Sequence, residues 1–164
     1  MVVGSGGSGK SRLAREVAAR TGVPLVHLDA LYWGPGWTET PPERWREIQR
    51  AALRGPDWIV DGNYGGTLDE RLPLADVVVL LDFPRRTCLL GVVERRLRHR
   101  GRVRPDMGPG CPERLELSFL RYIWSYPGRH RASLLAKVHA FGKDEALVRL
   151  RSRREARMWL STLG

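Results

Sequence analysis

Short apolar runs alternate along this chain with longer stretches in which apolar residues recur every three or four positions. The apolar runs predict five strands, at residues 2–3, 25–28, 58–60, 77–81 and 146–150. The amphipathic stretches predict helices over residues 11–21, from about 40, over 85–99, over 113–141 with a break at 126–128, and from 152. Such alternation is typical of a parallel sheet covered on both faces. We therefore predict a three-layer α/β fold in a single domain, residues 1–164.

Local patterns refine these elements. Thr40 with Glu43, and Ser152 with Glu155, each place a hydroxyl three residues before a carboxylate. In that arrangement the two side chains cap free backbone amides at a helix start. Residues 100–112 are rich in arginine and proline without apolar periodicity, which predicts a mobile loop. The core is expected to include four tryptophans of the predicted elements, Trp45, Trp58, Trp124 and Trp159.

Composition and charge narrow the class of protein. The 164 residues are 42% hydrophobic and 28% charged, and no apolar run approaches the roughly 20 residues of a membrane span. We expect a cytoplasmic globular protein without membrane association. The two cysteines, Cys88 and Cys111, indicate neither a disulfide framework nor a metal site. Lys and Arg number 28 against 18 Asp and Glu, and this net charge of +10 favours anionic partners, either phosphorylated small molecules or nucleic acid.

A glycine-rich segment joins the first predicted strand to the first predicted helix. It satisfies the pattern G-x-x-x-x-G-K-[ST] with Gly4, Ser5, Gly6, Gly7, Ser8, Gly9, Lys10 and Ser11. Glycines let successive amides converge on a phosphate, and the helix start adds free N–H groups. In this pattern the lysine reaches the terminal phosphates of a nucleotide and the serine hydroxyl binds Mg²⁺. We expect a nucleoside triphosphate site here, with Arg12 beside it; a flexible turn explains the glycines but not the Lys-Ser pair.

An acidic residue at a strand end completes the Mg²⁺ site in proteins with this loop. Asp61 and Asp82 both follow apolar strands. Asp61 opens a polar Asp-Gly turn that suits a strand end facing a ligand, so we expect it to join Ser11 as a metal ligand. Asp82 stands before a proline, and we expect it to cap the next helix.

Arginine is concentrated after the fourth strand. Eight arginines and one acid, Glu94, occur in residues 85–104, namely Arg85, Arg86, Arg95, Arg96, Arg98, Arg100, Arg102 and Arg104. Cations that close over a triphosphate account for this density. A nucleic-acid surface is the rival interpretation, although helical spacing scatters the side chains and no nucleic-acid-binding motif is present.

Aromatic residues crowd the segment after the second strand. Asp29 ends that strand, and Tyr32, Trp33 and Trp37 follow within eight residues. The three rings could stack on a ligand or close a small satellite core, and the sequence does not decide between these. His27, inside the strand, is expected to be a buried core histidine.

Several motifs occur in the order that adenylate kinase-like P-loop kinases use, and the chain resembles this family over nearly its whole length. The motifs are the Lys-Ser loop, Asp61-Gly62, the turn at 81–84, Glu94-Arg95 before the arginine-rich segment, and Ser152-Arg153 after the last strand. Residues 27–33 (HLDALYW), 61–64 (DGNY) and 104–107 (RPDM) look most like the topology modulation proteins. The label of those proteins implies an effect on DNA topology, whereas their motifs imply a kinase.

The resemblance implies a P-loop NTPase fold with sheet order 2-3-1-4-5, a short arginine-rich lid at about 100–113 and an acceptor-side subdomain at about 29–57. By the same resemblance, Arg95 and Arg100 contact ATP phosphates, and Ser152 and Arg153 border the adenine. Arg121 or Arg129 would supply a further cation. The chain departs from adenylate kinases at Asn63 and Tyr64, which replace a Phe-Pro-Arg segment that holds AMP, and from shikimate kinases at Leu31, which replaces an acid.

Three functions remain open at this stage. The first is an ATP- and Mg²⁺-dependent phosphotransferase that moves the γ-phosphate to a small-molecule acceptor, with a nucleoside or nucleotide as candidate. Its expected catalytic residues are Lys10, Arg95, Arg100 and Asp29, and its expected acceptor contacts are Asp29, Trp33, Trp37, Asn63 and Tyr64. The second is a DNA-binding or DNA-topology-modulating protein with a regulatory nucleotide site. The third is an ATPase without an acceptor.

Overall fold

A computed structural model describes residues 1–163 of the chain. Within these residues the strands are β1 (Val2–Gly4), β2 (Leu25–His27), β3 (Trp33–Gly34), β4 (Thr38–Glu39), β5 (Ile59–Asp61), β6 (Val78–Leu81) and β7 (Leu147–Leu150). The helices are α1 (Lys10–Thr21), α2 (Leu28–Tyr32), α3 (Pro42–Ala52), α4 (Arg85–Arg98), α5 (Leu117–Ser125), α6 (His130–Ala140) and α7 (Arg153–Ser161). Two 3-10 turns lie at Pro35–Trp37 and Gly65–Glu70.

Five of the strands form one parallel sheet in the order β2-β5-β1-β6-β7. Counted along the chain, this is the second, third, first, fourth and fifth strand of the sheet, so the expected order is confirmed. The two-residue strands β3 and β4 form a separate antiparallel hairpin that the sequence pattern did not predict. Strands that short carry no periodicity, so no alternation could have revealed them.

The sheet is covered on both faces, as the three-layer prediction requires. Alternate residues of each strand point to opposite faces, and Val3, Val60 and Leu80 pack with α3 and α6. Val2 and Val79 pack on the other face, with α1, α4, α5 and α7. The burial of both strand faces explains why the strands appear in the sequence as continuous apolar runs.

The predicted helix caps have mixed outcomes. At α7 the prediction is confirmed, since the Glu155 backbone N–H donates to Ser152 Oγ (3.1 Å). At α3 it is wrong, because the Thr40 hydroxyl donates to the Tyr32 carbonyl (2.6 Å) and α3 begins without a side-chain cap. The predicted cap by Asp82 is also wrong. No side chain caps α4, and Asp82 instead accepts hydrogen bonds from two guanidinium groups.

The burial of several residues also differs from what the sequence predicted. Trp45 is buried and Trp58 packs against the same core, as expected, but the side chain of Trp124 is 56% exposed. The stretch predicted to be a mobile loop buries the side chains of Arg104, Asp106, Met107 and Cys111, and the next residue, Glu113, is buried as well, which makes five. Three of the five are charged and cannot be recognised as core from hydropathy.

Candidate functional site

The glycine-rich segment forms a tight turn between β1 and α1. Gly7 (φ 75°) and Gly9 (φ 94°) adopt left-handed backbone conformations that side chains rarely tolerate. The Lys10 ammonium crosses the turn and donates to the Ser5 carbonyl (3.0 Å), and the Ser8 hydroxyl donates to the same oxygen (2.8 Å). The lysine is therefore folded over the loop at the start of α1, where free backbone amides are found.

Two helices hold this loop from behind by close backbone approach. A Cβ added to Gly91 in α4 would lie 2.2 Å from the Gly7 carbonyl oxygen. A Cβ added to Gly6 would lie 2.5 Å from the Phe119 ring of α5. The loop can keep its position only because Gly6 and Gly91 have no side chain.

Asn63 ties the loop to the turn after β5. Its side-chain oxygen accepts from the Gly4 N–H (2.9 Å), and its side-chain N–H₂ donates to the Gly4 carbonyl (2.7 Å) and to the Tyr122 hydroxyl (2.8 Å). The Asn63 side chain thus extends the pairing of β5 with β1, because it bonds the Gly4 backbone where β5 has ended. Asn63 also borders the cavity described next.

A cavity of about 710 Å³ opens at the carboxyl ends of the strands. The structure brings most of the predicted site residues into its wall, namely Gly6, Gly7, Ser8, Gly9, Lys10, Ser11, Arg12, Asp29, Trp33, Trp37, Asn63, Tyr64, Arg95 and Arg153. Parallel α/β sheets bind ligands at this edge. The predicted nucleotide and acceptor residues therefore share one continuous space.

Five predicted residues lie outside that wall. Gly4 ends β1, and Ser5 is buried with its carbonyl under Lys10. Ser152 is occupied in capping α7. Arg100 is exposed in a backbone bridge to Glu113, away from the cavity. The fifth is Asp61, which is buried directly beneath the site.

The fit of Asp61 and Ser11 to a Mg²⁺ ion can be judged from their surroundings. Asp61 is 5% exposed, and its Oδ2 lies 3.0 Å from His27 Nδ1, while its Oδ1 is buried without a hydrogen-bond partner. His27 therefore pairs with a carboxylate instead of packing only against apolar neighbours. No cluster of three His, Cys, Asp or Glu ligands exists in residues 1–163. One free carboxylate oxygen and one hydroxyl fit Mg²⁺, because this ion usually keeps several waters and takes few protein ligands.

The other end of the cavity holds a carboxylate among aromatic rings. The Tyr64 hydroxyl donates to Asp29 Oδ1 (2.7 Å). Burial raises the pKa of Asp29, and this hydrogen bond and the Lys10 charge oppose that rise. Burial and the neighbouring Asp29 charge raise the pKa of Tyr64 well above its ordinary value, so this phenol remains a neutral donor. Asp29 thus has the environment of a proton acceptor with raised basicity.

The aromatic residues divide between the two expected roles. Tyr32 packs into the core against Trp45 and Tyr64, with ring centroids 5.1 and 4.9 Å apart. Trp33 and Trp37 meet edge to face at 5.5 Å and border the cavity. The indole N–H of Trp37 is buried without a hydrogen-bond partner.

The lid adds three residues to the cavity wall that were not among the expected catalytic or binding residues. Arg104, Asp106 and Met107 border the cavity. The lid also packs on the β3–β4 hairpin, where the Gly36 N–H donates to the Gly110 carbonyl (3.0 Å). The Arg114 guanidinium, just beyond the lid, lies 4.5 Å from the Trp37 ring centroid. The motif at residues 104–107 (RPDM) could have drawn attention to these residues, but it indicated only a family resemblance and did not show that they line the cavity.

Arg121 and Arg129, the two candidates for a further cation, do not border the cavity.

In the part of the chain that is described, no helix has the length and apolarity to cross a bilayer.

Comparison with known proteins gives likenesses to solved structures alone. No family model matches the chain, and no curated protein matches it. The chain is similar to a solved structure of deoxyadenosine kinase from M. mycoides with the products dCMP and a flexible dCDP bound, at 12% identity and a TM-score of 0.47. That alignment covers 99% of this chain and 96% of the other. The resemblance to topology modulation proteins is not confirmed by these comparisons.

The class of the fold follows from the topology and the loop. A five-stranded parallel sheet in the order 2-3-1-4-5, with a G-x-x-x-x-G-K-S turn between its central strand and the next helix, is a P-loop kinase fold.

Proposed function

We propose that this protein is an ATP- and Mg²⁺-dependent phosphotransferase that moves the γ-phosphate to a hydroxyl of a small-molecule acceptor. One observation carries the proposal: a single cavity joins the phosphate loop, with Lys10, to a carboxylate of raised pKa, Asp29. Lys10 and Asp29 both line this cavity, so one bound pair of substrates can contact both groups. The aromatic wall at Trp33 and Trp37 suits a flat acceptor, and a nucleoside is the class we propose.

The loop amides and Lys10 would hold the triphosphate, and Arg95 would neutralise charge on the transferred group. The adenine would lie toward Arg153 at the start of α7. Mg²⁺, held by Ser11 and through water by Asp61, supplies positive charge to the phosphates when bound. Residues 29–57 would form the acceptor side and residues 100–113 the lid. Arg100 and Ser152 would reach the nucleotide only if their segments move.

The proton of the acceptor hydroxyl would pass to Asp29. Tyr64 occupies Oδ1, which leaves Oδ2 as the proton acceptor. The acceptor oxygen forms its bond to the γ-phosphorus as the bond from that phosphorus to the bridging oxygen breaks, and ADP takes the electron pair. Raised basicity favours this transfer at neutral pH.

The test is ADP formation by the purified full chain with MgATP and a panel of nucleosides, nucleotides, sugars and small acids. We expect turnover to depend on one class of acceptor. Lys10→Ala should lower turnover by about 100- to 1000-fold, the loss typical of removing one charge-stabilising donor. Lys143→Ala is the matched control, because Lys143 donates to the Ala75 carbonyl away from the cavity. Activity that persists in Lys10→Ala would contradict the assignment.

The ATP-consumption assay and a DNA-binding assay separate the two alternative functions. An ATPase without an acceptor would release phosphate at a rate that no added metabolite changes. A DNA-binding protein would hold duplex DNA as salt rises from about 50 to 200 mM, a range over which purely electrostatic binding is lost.

A further inference from the structure

Two arginines of the cavity wall share one carboxylate, and only one of them, Arg95, belongs to the expected pair of phosphate contacts, Arg95 and Arg100. Arg95 comes from α4 and Arg104 from the lid, and both border the cavity. Burial lowers the pKa of Arg95, and the charge of Arg104 lowers it further. Two adjacent, poorly hydrated guanidinium groups repel each other, so something must hold them together.

Glu113 occupies the point between the two arginines. Its side chain is 1% exposed, and Arg95 Nε donates to Oε1 at 3.0 Å. Arg104 Nε lies 2.7 Å from Oε2, at an angle that does not make a hydrogen bond. The backbone of Glu113 is fixed as well, because Arg96 donates to its carbonyl (2.7 Å) and its N–H donates to the Arg102 carbonyl (3.0 Å). One carboxylate with a fixed backbone position therefore forms ion pairs with two guanidinium groups.

Asp106 holds Arg104 from its other side. Arg104 Nη1 donates to Asp106 Oδ2 at 2.8 Å, and Asp106 Oδ1 lies 4.0 Å from Arg15 Nη1 of α1. These contacts connect Arg104, through Asp106, to Arg15 of α1.

A buried carboxylate beside two guanidinium groups has a cost in desolvation that apolar packing would avoid. The arrangement serves a purpose if the two cations are kept in the cavity wall for an anionic ligand. Arg100, the lid cation that the sequence favoured, is exposed outside the wall and has no such support.

We propose that Glu113 is a positioning residue that holds Arg95 and Arg104 together so that both bind the phosphates of the nucleoside triphosphate. Arg104 then takes the place expected for Arg100. This inference rests on the proposed function, since it assigns the groups that grip the substrate of the same site.

The test is isothermal calorimetry of the full chain with Mg²⁺ and a non-hydrolysable ATP analogue. Glu113→Gln removes the shared charge and should weaken binding by about 10- to 100-fold, the value of a charge-assisted hydrogen bond. Glu113→Asp keeps the charge and should restore part of the affinity. Glu47→Gln is the matched control, because Glu47 is an exposed glutamate that pairs only with Arg44 on α3.

A double-mutant cycle separates positioning from a general structural role. If Glu113 acts through Arg95 and Arg104, Glu113→Gln should lose less affinity in an Arg104→Met background than in wild type, and should change it by less than about threefold once Arg95→Met is added. Additive losses would overturn the proposal. If Glu113→Gln does not fold, as judged by thermal melting, Arg95→Met and Arg104→Met must each weaken binding, and unchanged affinity in either overturns it.

Nucleotide binding by the wild-type chain separates the proposed function from the role of Glu113. A wild-type chain that does not bind the analogue contradicts the proposed function itself. A wild-type chain that binds it, with Glu113→Gln equal to wild type, contradicts only the role of Glu113.

Discussion

Gly91 offers a sharp test of how the phosphate loop is held. It lies within α4, where a glycine ordinarily destabilises a helix by about 1 kcal/mol relative to alanine. By propensity alone, Gly91→Ala should stabilise the protein. The structure predicts a different result, because the new Cβ would lie 2.2 Å from the Gly7 carbonyl oxygen.

The size of the effect follows from that distance. Ordinary contact begins at 3.4 Å, so the Gly7 backbone must retreat by about 1 Å. Overpacking of this kind costs about 1–3 kcal/mol, which offsets the gain in helix propensity and leaves stability little changed. Displacement of a binding group by about 1 Å lowers catalysis by about 100-fold. The expected phenotype is a folded protein with a damaged site.

Two measurements on the same variant check this expectation. Urea unfolding should show a free energy of unfolding within about 2 kcal/mol of wild type. Turnover with MgATP and binding of its non-hydrolysable analogue should both fall. Gly128→Ala is the control, because the nearest atom to its added Cβ is the Ser125 carbonyl oxygen at 4.0 Å. If Gly91→Ala is more stable than wild type and binds nucleotide equally well, close contact between α4 and the loop does not set the geometry of the site.

Two further predictions concern the turn after β5. Asn63→Ala removes three hydrogen bonds and should lower the free energy of unfolding by about 2–4 kcal/mol. Tyr122→Phe removes one of these bonds and should lower it by about 1 kcal/mol. Equal losses for the two variants in urea unfolding would show that the Asn63 side chain does not hold Gly4 in place. Tyr64→Phe removes the hydrogen bond that lowers the pKa of Asp29. The base must be ionised to accept a proton, so the acid limb of the kcat/KM profile should move to higher pH, and an unmoved limb would exclude Asp29 as the base.

The order of the strands in the sheet was implied by the family resemblance. The positions of the central strands could be predicted because β1, β5 and β6 are buried on both faces and therefore consist mainly of apolar residues. The phosphate loop could be predicted because its backbone geometry requires glycine at fixed positions, as Gly7 and Gly9 show. Both features are local, since a few neighbouring residues determine them. The same holds for the cap of α7, where Ser152 and Glu155 are three residues apart.

The lid and its contacts could not be predicted for the opposite reason. Arg95 and Glu113 are 18 residues apart, and the burial of Glu113 depends on where α4 and the lid meet. A charged residue is ordinarily expected at the surface, so hydropathy assigned the segment to solvent. Trp124 shows the reverse error, because its apolar helix neighbours predicted burial while its side chain remains largely exposed.

Asp61 and Asp82 both stand at strand ends, and the sequence alone favoured Asp61 over Asp82 as the metal ligand. The hydrogen-bond partners of the two carboxylates now distinguish them. Asp82 accepts hydrogen bonds from Arg131 (3.0 Å) and Arg149 (2.7 Å), residues 49 and 67 positions away. Burial would raise the pKa of Asp82, but these two cations hold it below its ordinary value, so its charge is already neutralised by protein groups. Asp61 has only His27 as a partner and keeps one buried oxygen free. A metal ion at Asp82 would have to displace two guanidinium groups, whereas one carboxylate oxygen of Asp61 has no protein partner, and this difference supports Asp61 as the proposed metal ligand.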